Sequence, residues 1–379
     1  MPEHNGVHGQ RAEPQRVVIT GAAGLLGRHC LVRLHARNCA ARFRGEPARY
    51  ELVPLDRAAF NDPARLANAV EGAAAVFHFA GVNRGPEAEV EAGNVDIATR
   101  LAEACHASGS TAHIVYANST HAASDTPYGR SKRRAGEILA DAAPRFTDLV
   151  LPHIFGEGAR PFYNNVTATF IHQVIRGEVP SVNPEGGVQL LHAGAAAEAA
   201  IAAVAEGVTG ELRPAPRPMG VGDLLARLQD MHAAYGANLF PDLSDPFDLA
   251  LFNSYRTALY PEGFPRPLTL NSDARGVLFE AAKGGGGGQT FLSWTEPGIT
   301  RGNHFHLDKV ERFLVLQGEA IIRIRRVPDG PVWEYRVDGR QPVAVDMPTL
   351  HTHSIENVGD KPLLTLFWTQ ALFDPAAPD

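Results

Sequence analysis

The stretch Val17-Val18-Ile19-Thr20-Gly21-Ala22-Ala23-Gly24-Leu25-Leu26-Gly27 decides the fold of the first part of the chain. Its opening residues read as a short buried strand and its spaced glycines as a tight turn. Leu25 to Arg37 follows with apolar residues at helical spacing. Glycines let the backbone come close to a pyrophosphate, and the helix N-terminus adds amide donors and the positive end of its dipole. Tyr50 to Leu55, Ala75 to Phe79 and Ala112 to Tyr116 repeat the strand signature, each separated by a helical stretch. That alternation predicts an α/β architecture, a doubly wound parallel sheet covered by helices on both faces.

With 379 residues, 44% hydrophobic and 20% charged, the chain has material for two or three packed domains and is not wholesale disordered. Acidic residues outnumber basic ones, 42 to 35, for a net charge of −7, which argues against a nucleic-acid-coating protein. The three cysteines, Cys30, Cys39 and Cys105, have no paired spacing, so neither a disulfide scaffold nor a cysteine-ligated zinc module is expected. No apolar run approaches the ~20 residues of a membrane helix, and the polar start lacks a signal peptide's apolar core. These features imply a soluble cytoplasmic protein.

After the proline-rich turn Tyr260-Pro261-Glu262-Gly263-Phe264-Pro265 the texture changes to strand-like alternation with turn signals such as Asp329-Gly330 and Asp338-Gly339. Many short strands at regular intervals imply an antiparallel sandwich or barrel. The run Gly284 to Gly288 reads as a flexible hairpin loop. The expected division is a polar leader over 1–15, a nucleotide-binding domain with a substrate lobe over 16–261, and an all-β domain over 262–379.

Tyr128-Gly129-Arg130-Ser131-Lys132 opens a helical pattern, and its i, i+4 spacing puts phenol and ammonium on one face. A phenol titrates near ~10, and a neighbouring ammonium favours its anion, making it a usable proton donor near neutral pH. Ser119 lies just after a strand, where its hydroxyl could bond the same substrate oxygen. With the glycine turn upstream, this order resembles the extended short-chain dehydrogenase/reductase family, a Rossmann-type fold. His78-Phe79-Ala80-Gly81 and Asn94 stand where that family has a cofactor-side strand end and a structural Asn. The resemblance implies hydride transfer between a nicotinamide and a sugar carbon. Tyr128 would protonate the carbonyl oxygen, Lys132 would hold the ribose and tune Tyr128, and Ser119 would position substrate. Gly21, Gly24 and Gly27 would carry the cofactor phosphates. At the end of the second strand, Asp56 suits the ribose hydroxyls of NAD, and Arg57 suits the 2′-phosphate of NADP.

The last third holds Gly298-x5-His304-x-His306-x4-Glu311-x6-Gly318, followed by His353-x3-Asn357. Residues two apart on a strand share a face, so His304 and His306 are expected to point together, joined by Glu311 and His353 from later strands. Three imidazoles and a carboxylate suit zinc, iron, manganese or nickel. The spacing matches the first motif of the cupins, which implies a jelly-roll barrel. The second motif is looser, because Pro342 and Leu350 stand where cupins usually have glycine. Lys309 and His351 lie beside the ligands as candidate proton carriers.

A ketone acidifies the protons on its neighbouring carbons, and a divalent cation can stabilise the resulting enediolate. A reductase could then trap the epimer. The whole chain after residue 16 resembles the bifunctional capsular-polysaccharide enzymes on the route to UDP-N-acetyl-L-fucosamine. The resemblance rests on Ala80 to Arg84, Thr126 to Gly129, Tyr163-Asn164, Ala168 to Phe170, Gly298 to His304 and Ile355 to Asn357. It implies zinc-dependent C3 epimerisation of a UDP-2-acetamido-2,6-dideoxy-hexos-4-ulose by the cupin, then C4 reduction with NADPH (NADH being the alternative) to a 6-deoxy-L-talose sugar, in a homodimer. Arg84, Tyr163 and Asn164 would line the sugar-nucleotide site. Three features depart from the family: His153 in place of Asn, His192 to Ala195 in place of a stretch with paired aspartates, and an insertion around Ala40 to Pro47. A related sugar nucleotide, a reductase with a cupin that only dimerises or senses, and an oxygen-using iron cupin stay open.

Overall fold

The computed structural model describes residues 13–183 and 185–373, so most of the expected leader, 1–15, lies outside the described residues. The described residues up to Leu151 form one compact unit with Ala197–Pro214; Pro152–Ala196 and the described residues from Ala215 onward form a second. Compactness thus divides the chain elsewhere than the change of texture near residue 261.

The first unit is built on six parallel strands in the order Tyr50–Leu55, Gln15–Thr20, Ala75–His78, His113–Ser119, Arg145–Leu151, Gly210–Leu212. Val17, Val18 and Ile19 are all buried, as are Val76, Ile114 and Val115. Side chains on both faces are covered, which is why these strands read as continuous apolar runs rather than alternating ones. The chain crosses to opposite sides of Gln15–Thr20, so the order reverses there and leaves the crevice where doubly wound sheets bind ligands.

Local signals fix the flanking helices. Thr126 caps Pro127–Ala142 by accepting from Gly129 N at 3.1 Å, with Pro127 in the first turn. Glu87–Ser108 carries Glu87 and Glu89 in its first turn and ends at Gly109 in the left-handed region. Leu66, Val70, Leu101 and Leu139 pack together beneath the sheet. The insertion around Ala40 to Pro47 extends the helix Leu25–Phe43 and turns at Gly45.

In the second unit, a small sheet (His153–Phe155, Gly187–His192, Arg217–Gly220) accompanies two larger ones. A five-stranded sheet runs Arg266–Pro267, Val343–Met347, Glu311–Gln317, Leu363–Thr369, Gln289–Thr295. A four-stranded sheet runs Thr300–Phe305, His351–Asn357, Glu319–Arg326, Val332–Asp338. Every pairing within these two is antiparallel. The expected barrel is therefore corrected: among the described residues no hydrogen-bonded ladder closes it. One edge strand, Arg266–Pro267, ends in a proline that has no N–H to extend a ladder. The glycine run is also no hairpin loop. Lys283–Gly284 pairs with Leu239–Phe240, and Gly285 N donates to Phe240 O at 2.8 Å before the chain enters Gln289–Thr295.

Aromatic packing joins helices Val221–Gly236 and Pro246–Thr257 to these sheets, with Tyr235, Phe240, Phe252, Tyr255 and Trp368 in one cluster. Inside it lies a buried ion pair, Arg312 Nε to Asp346 Oδ1 at 2.6 Å and Nη2 to Oδ2 at 2.9 Å. Tyr235 donates to the same carboxylate, Tyr260 donates to Asp346 O at 2.5 Å, and Arg256 donates to Met347 O at 3.0 Å. Such a pair survives burial because every oxygen has a donor.

Candidate functional site

Gly21 has φ +66°, and a Cβ there would stand 2.7 Å from Ala80 N. One at Gly27 would stand 2.2 Å from Gly21 O. Only glycine fits either place, because strand end, turn and helix start touch through backbone. Gly24 N bonds Gly21 O at 2.9 Å, and no side chain caps the helix that follows. Its first-turn amides have no intrahelical partners and suit phosphate oxygens.

Beside this turn, Thr20 Oγ1 lies 2.9 Å from His78 Nδ1, and burial together with the Lys132 charge pushes the His78 pKa down to about 3. Asn94 accepts from Val82 N at 2.9 Å and donates to Val82 O at 2.7 Å and Ser131 Oγ at 3.1 Å. It ties the loop after Ala75–His78 to the helix Pro127–Ala142. Arg84 is exposed on that loop. Asp56 and Arg57 follow the second strand, whose Leu55 pairs with Thr20. Asp56 Oδ1 accepts from Ala59 N at 2.6 Å as the cap of Arg57–Asn61, so one of its oxygens is committed, while Arg57 is exposed.

Ser119, Tyr128 and Lys132 gather at the C-terminal end of His113–Ser119 and the start of Pro127–Ala142. Burial raises the Tyr128 pKa, and a hydrogen bond with Ser119 opposes it. This differs from the lowering expected of a neighbouring ammonium. Lys132 Nζ donates to Ala117 O at 2.6 Å and lies 4.1 Å from the Tyr116 ring centre, and burial pushes its pKa down to about 7.

In the second unit, Tyr163 and Asn164 sit in an exposed loop before the helix Val166–Ile175. Phe162 and Asn164 take φ of +58° and +49°, a backbone strain that tends to mark functional loops. Asn165 holds the loop by accepting from Ala168 N at 2.9 Å and donating to Ile154 O at 3.0 Å. His153 is partly buried, and burial lowers its pKa. His192 bonds Glu157 at 2.8 Å, a carboxylate that the motif reading missed because no spacing flags it.

His304, His306, Glu311 and His353 come together, with ligand atoms all within 4.8 Å of one another. His304 pairs across strands with His353, and Glu311 comes from the five-stranded sheet, so both large sheets contribute. His306 lies just beyond its strand, yet its ring is 5.1 Å from that of His304. Glu311 Oε2 is 3.0 Å from His306 Nε2 and 3.3 Å from His353 Nε2. Burial alone would raise the Glu311 pKa, but these imidazoles hold it well below the carboxylate range. Neither ring nitrogen of the buried His353 makes a well-formed hydrogen bond, and its Nε2 is the one that faces the Glu311 carboxylate. The donor set fits a divalent metal, and exposed His304 leaves one side open to solvent, as catalytic sites do. Lys309 is half-buried and His351 buried, with His351 Nδ1 2.8 Å from Thr349 O. Asn357 is structural, donating to Thr295 O at 2.8 Å and Lys361 O at 2.9 Å.

Residues 17–213 match the NAD dependent epimerase/dehydratase family, and residues 271–379 match the polysaccharide biosynthesis C-terminal domain. The chain belongs to the NAD dependent epimerase/dehydratase family. As a family member it is 29% identical over 375 residues to the UDP-2-acetamido-2,6-beta-L-arabino-hexul-4-ose reductase of Pseudomonas aeruginosa, covering 96% of this chain and 97% of that protein. Among solved structures it is similar to the capsular polysaccharide assembling protein CapF of Staphylococcus aureus, with 28% identity, a TM-score of 0.56, and coverage of 96% of this chain and 98% of that one. A dTDP-4-dehydrorhamnose reductase of Bacillus anthracis in complex with NADP shares the fold at 15% identity and a TM-score of 0.50, over 59% of this chain and 82% of that one. Among the described residues, no helix is long and apolar enough to cross a membrane.

Proposed function

We propose that the chain is a cytoplasmic nucleotide-sugar enzyme that epimerises C3 of a UDP-2-acetamido-2,6-dideoxy-hexos-4-ulose and then reduces C4, giving a UDP-N-acetyl-6-deoxy-L-talosamine-type product. The observation that carries this reading is the convergence of His304, His306, Glu311 and His353 in a chain that also holds Ser119, Tyr128 and Lys132 beside a glycine turn. Similarity along nearly the whole chain to the Pseudomonas aeruginosa reductase supports it. Residues 16–261 would form the reductase with its substrate lobe, and 262–379 the metal-binding part, a cupin jelly roll.

Epimerisation must come first, because reduction removes the ketone that acidifies the C3 proton. A divalent metal, zinc by resemblance, held by His304, His306, Glu311 and His353 would stabilise the negative charge developing on the sugar oxygens. Lys309, three residues after His306 in the chain, would move the C3 proton. In the reductase half, bound NADPH would supply hydride. Tyr128, kept protonated by burial, gives its proton to the C4 oxygen, and Ser119 orients that oxygen. Lys132 would hold the ribose, Gly21, Gly24 and Gly27 would admit the phosphates, and exposed Arg57 would favour a 2′-phosphate. Arg84, Tyr163 and Asn164 hold the sugar nucleotide. A homodimer is consistent with Phe291, Leu292 and Trp294, exposed on the edge strand Gln289–Thr295.

Proton NMR of the keto sugar incubated with protein and NADPH in D2O tests the proposal. The expected product carries deuterium and inverted configuration at C3 and a hydroxyl at C4. Consumption of NADPH with C3 unchanged would leave a ketoreductase only, with a non-catalytic metal part.

A further inference from the structure

Glu157 is a buried carboxylate whose two oxygens serve different parts of the second unit. It follows the strand His153–Phe155, within the segment matched by the epimerase/dehydratase family. Its Oε2 is 2.8 Å from His192 Nε2. Its Oε1 accepts from Thr349 Oγ1 at 2.8 Å, across 192 residues, and Thr349 belongs to the segment matched by the polysaccharide biosynthesis C-terminal domain. Glu157 is 3% exposed and Thr349 0%. A buried charge is costly unless its lone pairs are engaged, so this bond is held by more than chance proximity.

What lies on either side gives the bond its meaning. Thr349 sits in a turn where Leu350 takes φ +60°, and the turn runs directly into His351–Asn357, which carries His353. Leu350 N donates to His306 O at 2.9 Å, and Thr349 O is 2.8 Å from His351 Nδ1. The turn is thus bonded to the backbone of one candidate metal ligand and leads into the strand of another. At the other end, Glu157 opens the loop that continues through the strained Phe162 and Asn164, with Tyr163 between them.

We propose that Glu157 is a positioning residue that couples these two places. Seating a metal on His304, His306, Glu311 and His353 fixes the turn, and the Thr349–Glu157 bond passes that order to residues 156–164. Because coupling is reciprocal, a nucleotide sugar held at that loop tightens metal binding by the same factor. The inference rests on reading the four residues as a metal site; it adds that the reductase-side loop senses whether that site is filled.

Hydrogen exchange of the full chain, with and without Zn2+ alone, tests this. In the wild type, Zn2+ slows amide exchange in 349–357 and also in 156–164, the latter by about fivefold or more. Thr349→Val, which keeps shape but removes the hydroxyl, retains the first protection and loses the second; Thr349→Ser restores both. Glu157→Gln, which keeps one acceptor oxygen, gives an intermediate result and serves if the valine variant does not fold. Zn2+ protection confined to 349–357 in the wild type would overturn the coupling and leave the metal site standing. A wild type that binds no Zn2+ would remove both.

Discussion

The glycine turn of the first unit and the ligand cluster of the second are suited to charge by opposite means. At Gly21–Gly27 the backbone does it: a left-handed residue, close strand–helix approach and uncapped amides, with no ionisable side chain in the motif. At the cluster, side chains do it, brought from two sheets and held by a carboxylate that two imidazoles keep ionised. A backbone site is read as a contiguous string and is destroyed by adding a Cβ. A side-chain site is read as spaced letters and is destroyed by removing one. The pair Tyr128 and Lys132 falls between these extremes, with the proton affinity of each shifted by burial.

The strongest way to separate the two sites is Tyr128→Phe. Removing the proton donor should lower ketone reduction by about 10²–10⁴-fold. Solvent deuterium exchange at C3, followed by NMR, should continue at the wild-type rate; loss of both would mean that the sites are not independent. Glu311→Gln is the converse. It should weaken metal binding by at least about 10–100-fold, measured by competition with a chelating dye, and stop C3 exchange. Reduction of a substrate already epimerised should proceed. Normal metal content in this variant would remove Glu311 from the ligand set.

A smaller effect is expected at the cofactor edge. Arg57→Ala should raise KM for NADPH about tenfold, on the order of a charge-assisted hydrogen bond, and leave NADH nearly unchanged. An equal rise for both cofactors would mean that Arg57 does not read the 2′-phosphate. The least effect is on stability. Because the folded pKa of Lys132 is about 7, well under the unfolded value, the native state binds fewer protons between those values. Stability therefore rises with pH across that window, and the penalty of the buried ammonium is fully present below it. Lys132→Met should raise Tm by a few degrees at pH 7, with the gain shrinking toward pH 10. A gain independent of pH would point to packing instead of charge.

The parallel sheet was legible because its strands are covered on both faces and its turn is a single string. The clustering of His304, His306, Glu311 and His353 was legible because the first three keep a fixed spacing, even though the strands that carry His304 and His353, Thr300–Phe305 and His351–Asn357, show little alternation. Sheet closure was not legible, since edge pairing depends on geometry between distant segments. The orientation of Lys132 toward Ala117 O was equally hidden, because i, i+4 spacing fixes a helix face but not the side chain's partner. Glu157 and Arg312 carry no motif; their partners, Thr349 and Asp346, lie 192 and 34 residues away.

The buried pair Arg312–Asp346 bears on where the chain can be cut. Tyr235, Arg256 and Tyr260 reach the Val343–Met347 strand from the helical segments before residue 261, and Asn238 accepts from Arg312. A fragment starting at residue 262 or 271 would keep His304, His306, Glu311 and His353, yet strip the aromatic cover from Arg312 and leave Asp346 short of its tyrosine donors. One starting at Ala215 carries its own lid. Minimal fragments of the C-terminal half should therefore be drawn from the packing around this guanidinium, not from the point at which helices give way to strands.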